Sequence, residues 1–362
     1  MNRPSWQIGP DSTSEVRRYS RVAFTTEAGV RLADCPIAYS SWGTLNEAGD
    51  NCIVVCHALT GNTDAADWWS GLVGSGRVLD TDRYFVICLN VPGSPYGSIG
   101  PLTVNPETGV RYGAAFPAFT VRDTVAIHRI VLEDLGVTQV VLAAGGSLGG
   151  MQAAEWAFET DFVKTAAIVA CGASHSPWCI GWSNAQRAAI MADAAFEGGA
   201  YELDHQPTAG LAVARQIAMM TYRSFGEFYD RFGRRLSDDG SSFSVSTYLD
   251  YQGQKLVSRF DANCYIALTR TMDSHDIRRD RSELTCCPTL VVGITTDVLY
   301  PLDEQKQLSE TLPDSELAIL DSPFGHDAFL IEQNKLNALI SEWLNKIKRT
   351  RRSFATHVAC DA

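Results

Sequence analysis

Ser147 stands in Gly145-Gly146-Ser147-Leu148-Gly149, a G-x-S-x-G pentapeptide between the apolar run Gln139 to Ala144 and a helix starting near Leu148. Glycine two residues to either side leaves room for a strand-to-helix turn that lifts the serine hydroxyl above a sheet edge. The helix N-terminus behind it favours negative charge developing on a substrate. The pentapeptide alone also fits a glycine-rich turn without chemistry; the strand before it and the helix after it mark a nucleophile. A serine hydroxyl needs a base, and the base needs an orienting acid. Behind such an elbow the chain order is Ser, then Asp or Glu, then His. Asp297 closes the run Thr289 to Asp297, and His326 lies in Phe324-Gly325-His326, beyond a further strand beginning at Ser315. Six other histidines compete. His57, ending an early strand, is read as structural, and His275, in Asp273-Ser274-His275-Asp276, as a surface residue of a lid. The oxyanion donors are then two backbone amides, Leu148 after the nucleophile and Leu59 in the loop His57-Ala58-Leu59-Thr60-Gly61.

These groups need a scaffold, and the hydropathy pattern supplies one. Arg18 to Thr26 and Arg31 to Tyr39 read as paired strands around the turn Glu27-Ala28-Gly29. Cys52 to Ala58, Tyr84 to Val91, Gln139 to Ala144, Thr165 to Ala170 and Thr289 to Ile294 are apolar without alternation, as expected of parallel strands covered on both faces. Val121 to Leu135 carries a helical apolar stripe and stops at Gly136. This strand–helix alternation predicts a doubly wound α/β fold with a mostly parallel sheet and helices on both faces. The rhythm breaks over residues 174–285, which read as a helical lid inserted into a core of 18–173 and 286–348. Within the lid, Ala185 to Ala195, Gly210 to Met220 and Phe225 to Phe232 have helical periodicity, and Gly240 to Ser242 read as a loop. A final amphipathic helix is expected from Ala328 to Ile347. Residues 1–17 and 349–362 read as flexible termini.

Of 362 residues 45% are hydrophobic and 20% charged, the balance of a globular chain rather than a disordered one. The net charge of −12, from 42 acids against 30 bases, argues against nucleic acid as a partner. The basic run Lys346 to Arg352 reads as a solvated helix end. No apolar stretch is long enough for a membrane span, and Met1 to Pro10 lacks the apolar core of a secretion signal. The ten cysteines lie mostly in strand-like runs and show no C-x-x-C pair, which favours reduced, buried thiols over disulfides or zinc. A cytoplasmic, metal-free protein without a tightly bound cofactor is expected.

HALTG (57–61), AGGSLGGMQAAEWA (144–157), VGITTDVLYP (292–301) and SPFGHDAFL (322–330) together resemble the homoserine O-acyltransferase family of α/β-hydrolases. Weaker matches at 100–117, 221–234 and 248–273 extend the resemblance over residues 18 to 345, lid included. The resemblance implies acyl transfer from acyl-CoA to the homoserine hydroxyl, by a ping-pong route through an acyl-serine, in methionine synthesis. It places Ser147, Asp297 and His326 in the triad, and Arg223 and Asp327 in the amino-acid site. The last two suit that role chemically, since a free amino acid offers a carboxylate to a guanidinium and an ammonium to an acid. Apart from the resemblance, Arg223 also reads as a lid salt bridge and Asp327 as a helix N-cap. Acetyl-CoA is preferred over succinyl-CoA as co-substrate because the pocket motifs show no extra basic residue for a succinyl carboxylate. Serine as acceptor, an esterase using water, and a hydrolase fold retired to binding are the alternatives. Apolar lid helices such as Leu211 to Met220 predict a homodimer through the lid.

Overall fold

The unbroken apolar runs become the strands of one sheet. The structure is a computed structural model that describes residues 18–360, with side chains through residue 350. Residues 1–17 and 361–362, part of the expected flexible termini, lie outside the described residues. The strands are β1 (Arg18–Thr25), β2 (Arg31–Trp42), β3 (Cys52–Cys56), β4 (Phe85–Leu89), β5 (Val140–Gly146), β6 (Ala166–Val169), β7 (Thr289–Ile294) and β8 (Ser315–Leu320). Their order is β1-β2-β4-β3-β5-β6-β7-β8. Only the β1–β2 and β2–β4 pairings are antiparallel. Successive residues of β3 alternate between two cores: Ile53 and Val55 face one, Cys52, Val54 and Cys56 the other. An apolar residue is therefore needed at every position, which is why the run shows no alternation.

Helices α1 (Ala65–Trp68), α2 (Val121–Asp134) and α3 (Leu148–Trp156) follow the first strands. α2 begins with a capping box, the Asp123 amide donating to Thr120 Oγ1 and the Thr120 amide to Asp123 Oδ2. Between β6 and β7 the chain leaves the sheet for α4 (Pro177–Ala192), α5 (Thr208–Tyr222), α6 (Phe225–Phe232), α7 (Ser244–Val257) and α8 (Ala262–Asp273). The two ends of this excursion are joined by a bridge between Ser174 and Asp276.

The last elements are α9 (Leu302–Thr311), α10 (Ala328–Ile331) and α11 (Gln333–Cys360). Two expectations are corrected here. The final helix is broken at Glu332, and it continues to Cys360 instead of ending at Ile347 and leaving a tail from 349. Lys348 to Cys360 contains no glycine or proline to stop it. Among the described residues no helix is long and apolar enough to cross a membrane. The nine cysteines whose side chains are described are unpaired and buried.

Candidate active site

Ser147 occupies the turn between β5 and α3 with φ 59° and ψ −123°, a backbone conformation that L-residues seldom adopt. Its amide donates to Val169 O at 3.0 Å, so the neighbouring strand holds the turn. A Cβ on Gly149 would stand 2.1 Å from Cys56 O, so only glycine lets α3 begin this close to β3. The elbow read from the pentapeptide is thus a close approach of three backbones.

Asp297 follows β7 and His326 follows β8, and the two loops are sewn together. Thr296 Oγ1 donates to Ser322 O at 2.7 Å and accepts from the Gly325 amide at 3.0 Å. Asp297 Oδ1 accepts the amides of Leu299 and Tyr300, each at 2.9 Å, and Oδ2 lies 2.7 Å from His326 Nδ1. Both carboxylate oxygens are engaged, which fixes the acid and, through it, the ring. The imidazole is boxed in by the rings of Tyr300, Phe329 and Tyr222 at 5.5, 5.6 and 5.7 Å. Its Nε2 is buried and has no hydrogen-bond partner, leaving that nitrogen for a nucleophile. Ser147 and His326 make no hydrogen bond in this state, a looseness common before substrate binds. Burial favours the neutral ring, yet the charge of Asp297 and its hydrogen bond, with Asp327 adding, leave the His326 pKa above the usual histidine value.

The loop after β3 explains His57. The Val91 amide donates to its Nε2 at 3.0 Å, so the ring proton sits on Nδ1, 2.9 Å from Ala58 O. The Gly61 amide donates to the same carbonyl at 2.9 Å. Burial pushes the His57 pKa down to about 4, so the ring stays neutral. Ala58 O belongs to the peptide whose N–H is that of Leu59. Two donors on the carbonyl therefore orient and polarise the amide at its other end. Among the described residues no hydrogen bond occupies the amide of Leu59 or of Leu148. His57 is structural, as read from the sequence, but it acts on one particular peptide. His275 is a correction. It is buried rather than on a lid surface, with Nε2 at 3.0 Å from Gly172 O and at 3.6 Å from Cys171 Sγ. It sits where the returning lid pairs with the segment after β6, and that pairing drives it inward.

Arg223 and Asp327 meet through a joint between lid and core. Gly325 has φ +65°, and a Cβ there would stand 2.6 Å from Ser224 N. That contact seats the α5–α6 corner on the turn that carries His326, while Ser224 Oγ donates to Pro323 O. Arg223 Nη1 bonds Glu227 Oε1 at 3.0 Å, and Nε stands 3.1 Å from Asp327 Oδ2, close enough for an ion pair but not aligned for a hydrogen bond. Both fork edges of this guanidinium are thus half occupied. Asp327 precedes α10, but its side chain makes no capping bond. Burial raises the Asp327 pKa, against the pull of Arg223, Arg215 and His326. Glu227 stands in the first turn of α6 and its amide donates to the N-cap Ser224 Oγ, so the cap rather than helical spacing turns it back to Arg223. Tyr300, whose ring packs on His326, carries no local signal in the sequence.

A strained serine, a buried Asp–His pair and two unoccupied amides are the parts needed for nucleophilic acyl transfer. Among the described residues no group of three or more His, Cys, Asp or Glu side chains is arranged to hold a metal. Residues 51–333 match the family described as alpha/beta hydrolase fold. The chain is 55% identical over 332 residues to the homoserine O-acetyltransferase of Salinibacter ruber, covering 88% of this chain and 94% of that one. The crystal structure of homoserine O-acetyltransferase from Staphylococcus aureus superposes with a TM-score of 0.75 at 30% identity, covering 91% of this chain and 95% of that one. The acetyl esterase MekB shares the fold, with a TM-score of 0.81 at 24% identity, covering 91% of this chain and 97% of that one.

Proposed function

The chain belongs to the homoserine O-acetyltransferase family of the alpha/beta hydrolase fold, and on that premise we propose that it moves an acetyl group from acetyl-CoA to the hydroxyl of L-homoserine. In the first half-reaction Ser147 Oγ attacks the thioester carbonyl while His326 Nε2 takes its proton. The tetrahedral oxyanion rests on the amides of Leu59 and Leu148. The C–S bond then breaks, and the CoA sulfur leaves with the proton held by His326. In the second half-reaction the homoserine hydroxyl gives its proton to His326 and attacks the acetyl-serine. Ser147 recovers the proton as O-acetylhomoserine departs. Asp297 holds the imidazole in the tautomer that keeps Nε2 free and stabilises the imidazolium. Asp327 meets the acceptor's ammonium, and Arg223 offers its carboxylate the one nitrogen, Nη2, that no acid occupies.

One observation carries the choice of a transferase over an esterase. A half-buried acid and a guanidinium stand immediately beside the base, a pairing suited to an amino acid and of no use to water. The enzyme needs no tightly bound cofactor in this scheme. We place it in the cytoplasm, where CoA thioesters are supplied and its buried thiols stay reduced. A homodimer would cover the exposed lid residues Val213, Met220, Phe225 and Tyr229. The test is to mix enzyme with acetyl-CoA alone. A stoichiometric burst of CoA and one acetyl group on the Ser147 peptide are expected, followed by discharge on adding homoserine. Intersecting initial-rate lines without an adduct would defeat the covalent route. Discharge at the same rate with and without homoserine would make the protein an esterase.

A further inference from the structure

The loop that carries the Leu59 amide is held from two sides, and only one of them belongs to the core. On the core side Gln152 Nε2 of α3 donates to His57 O at 3.2 Å, and His57 Nδ1 lies against Ala58 O. On the other side stands Arg259, in the link between α7 and α8, whose Nη1 donates to Thr60 O at 2.8 Å and to the Tyr96 hydroxyl. Thr60 and Arg259 are 199 positions apart, so no spacing in the sequence announces the contact. The residues after Arg259 fix the link. Phe260 is fully buried, its ring edge-on to Tyr96 at 5.8 Å and to Tyr265 at 6.0 Å. Asp261 caps α8 by accepting the Cys264 amide at 2.9 Å. The guanidinium is therefore delivered to the loop by a segment packed in place.

Peptide connectivity turns this contact into a relay. Thr60 O and the Gly61 N–H share one peptide plane, and that N–H donates to Ala58 O at 2.9 Å. Ala58 O and the Leu59 N–H share the next plane. A cation on Thr60 O polarises the first peptide and makes Gly61 a stronger donor. Gly61 does the same to the second peptide and leaves the Leu59 N–H more positive. The turn is tight: a Cβ on Gly61 would stand 3.1 Å from His57 Cβ and 3.2 Å from Ala58 O. We infer that Arg259 is a positioning residue of the oxyanion hole, acting through two peptide units to orient and polarise the Leu59 amide. This rests on the triad and oxyanion reading above and extends it to a residue of the inserted helices. Because an oxyanion forms in each half-reaction, Arg259 serves both, unlike the α5–α6 corner that carries Arg223.

The experiment compares the full chain with Arg259→Met, which keeps an unbranched stem but removes charge and donor. The CoA burst and the transfer to homoserine should both slow about 5- to 50-fold, less than the loss of an oxyanion donor itself, with KM for acetyl-CoA within about twofold. The second readout is the adduct of Ser147 with trifluoroacetone, a tetrahedral mimic whose oxygen ionises. Its NMR resonance, with the ketone labelled at the carbonyl carbon, follows that ionisation against pH. In the variant the midpoint should rise by about one pH unit, equivalent to about tenfold weaker oxyanion stabilisation. A residue that merely tethers the lid leaves this midpoint in place, so a fixed midpoint would overturn the inference even if the melting temperature fell. A loss confined to transfer would make Arg259 an acceptor contact, and a raised KM at an unchanged burst rate would make it a contact of CoA; either result also overturns it. Arg259→Lys keeps the charge but gives up one of the two bonds, and should move the midpoint about half as far, with about threefold slower bursts. If the Met variant does not fold, an unmoved midpoint in the Lys variant defeats the inference. If the wild-type protein forms no adduct at Ser147, the nucleophile reading has failed. If its adduct ionises no more readily than the hydrated ketone in water, the oxyanion reading has failed, and the inference falls with it.

Discussion

The strand ends and the lid build their halves of the site by different means. Ser147, Asp297 and His326 are held mainly through backbone: a neighbouring strand's carbonyl, two amides on Asp297 Oδ1, and loops stitched by Thr296. Arg223, Glu227 and Asp327 depend on side chains and on one backbone contact at Gly325. The half that breaks and makes bonds rests mostly on backbone groups that no substitution removes, the Thr296 hydroxyl being the side-chain exception. The half that chooses an acceptor is assembled from long, charged side chains, each replaceable. The first half should therefore serve both half-reactions and the second only one.

The strongest way to break this comparison is at the nucleophile. Ser147→Ala or His326→Ala should lower kcat on the order of 10⁴- to 10⁶-fold in both half-reactions, with the double variant scarcely worse. Asp297→Asn should cost on the order of 10⁴-fold by releasing the imidazole tautomer. Single-turnover CoA release would reveal additive losses, which would separate the two residues into different steps. Next comes the oxyanion loop. His57→Leu removes a donor from Ala58 O and should lower the rate of both half-reactions about 10- to 100-fold, with little change in KM for acetyl-CoA. A loss seen only as a lower melting temperature would reduce His57 to packing.

Arg223→Lys cannot keep both the bond to Glu227 and a contact with the acceptor. It should weaken transfer to homoserine about tenfold while leaving the CoA burst intact. A slowed burst would assign Arg223 to the fold of the lid or to CoA. The smallest effect joins the two halves. The base acts only when neutral, so acylation should rise with pH through a midpoint above the ordinary histidine value of 6.5. Asp327 contributes to that elevation, so Asp327→Asn should move the midpoint of acylation down. A fixed midpoint would mean that the lid-side acid is electrostatically separate from the base.

Much of the first half was legible because it is written in short spacings. G-x-S-x-G requires close backbone approach at Gly149, and unbroken apolar runs require a sheet covered on both faces. Chain order then singled out Asp297 and His326 among the acids and histidines. Even so, only the fold brings them to 2.7 Å across 29 residues. The same sequence left His275 on a surface and ended the last helix at Ile347. His275 turns inward because the two ends of the lid pair, and Arg215 turns toward Tyr222 and His326 because α5 docks on the turn at Gly325. Periodicity and turn chemistry are local, and they determine elements and elbows. Which charge stays paired, which is left open and which peptide a buried imidazole polarises depend on long-range packing, where every neighbour is set by the rest of the chain at once.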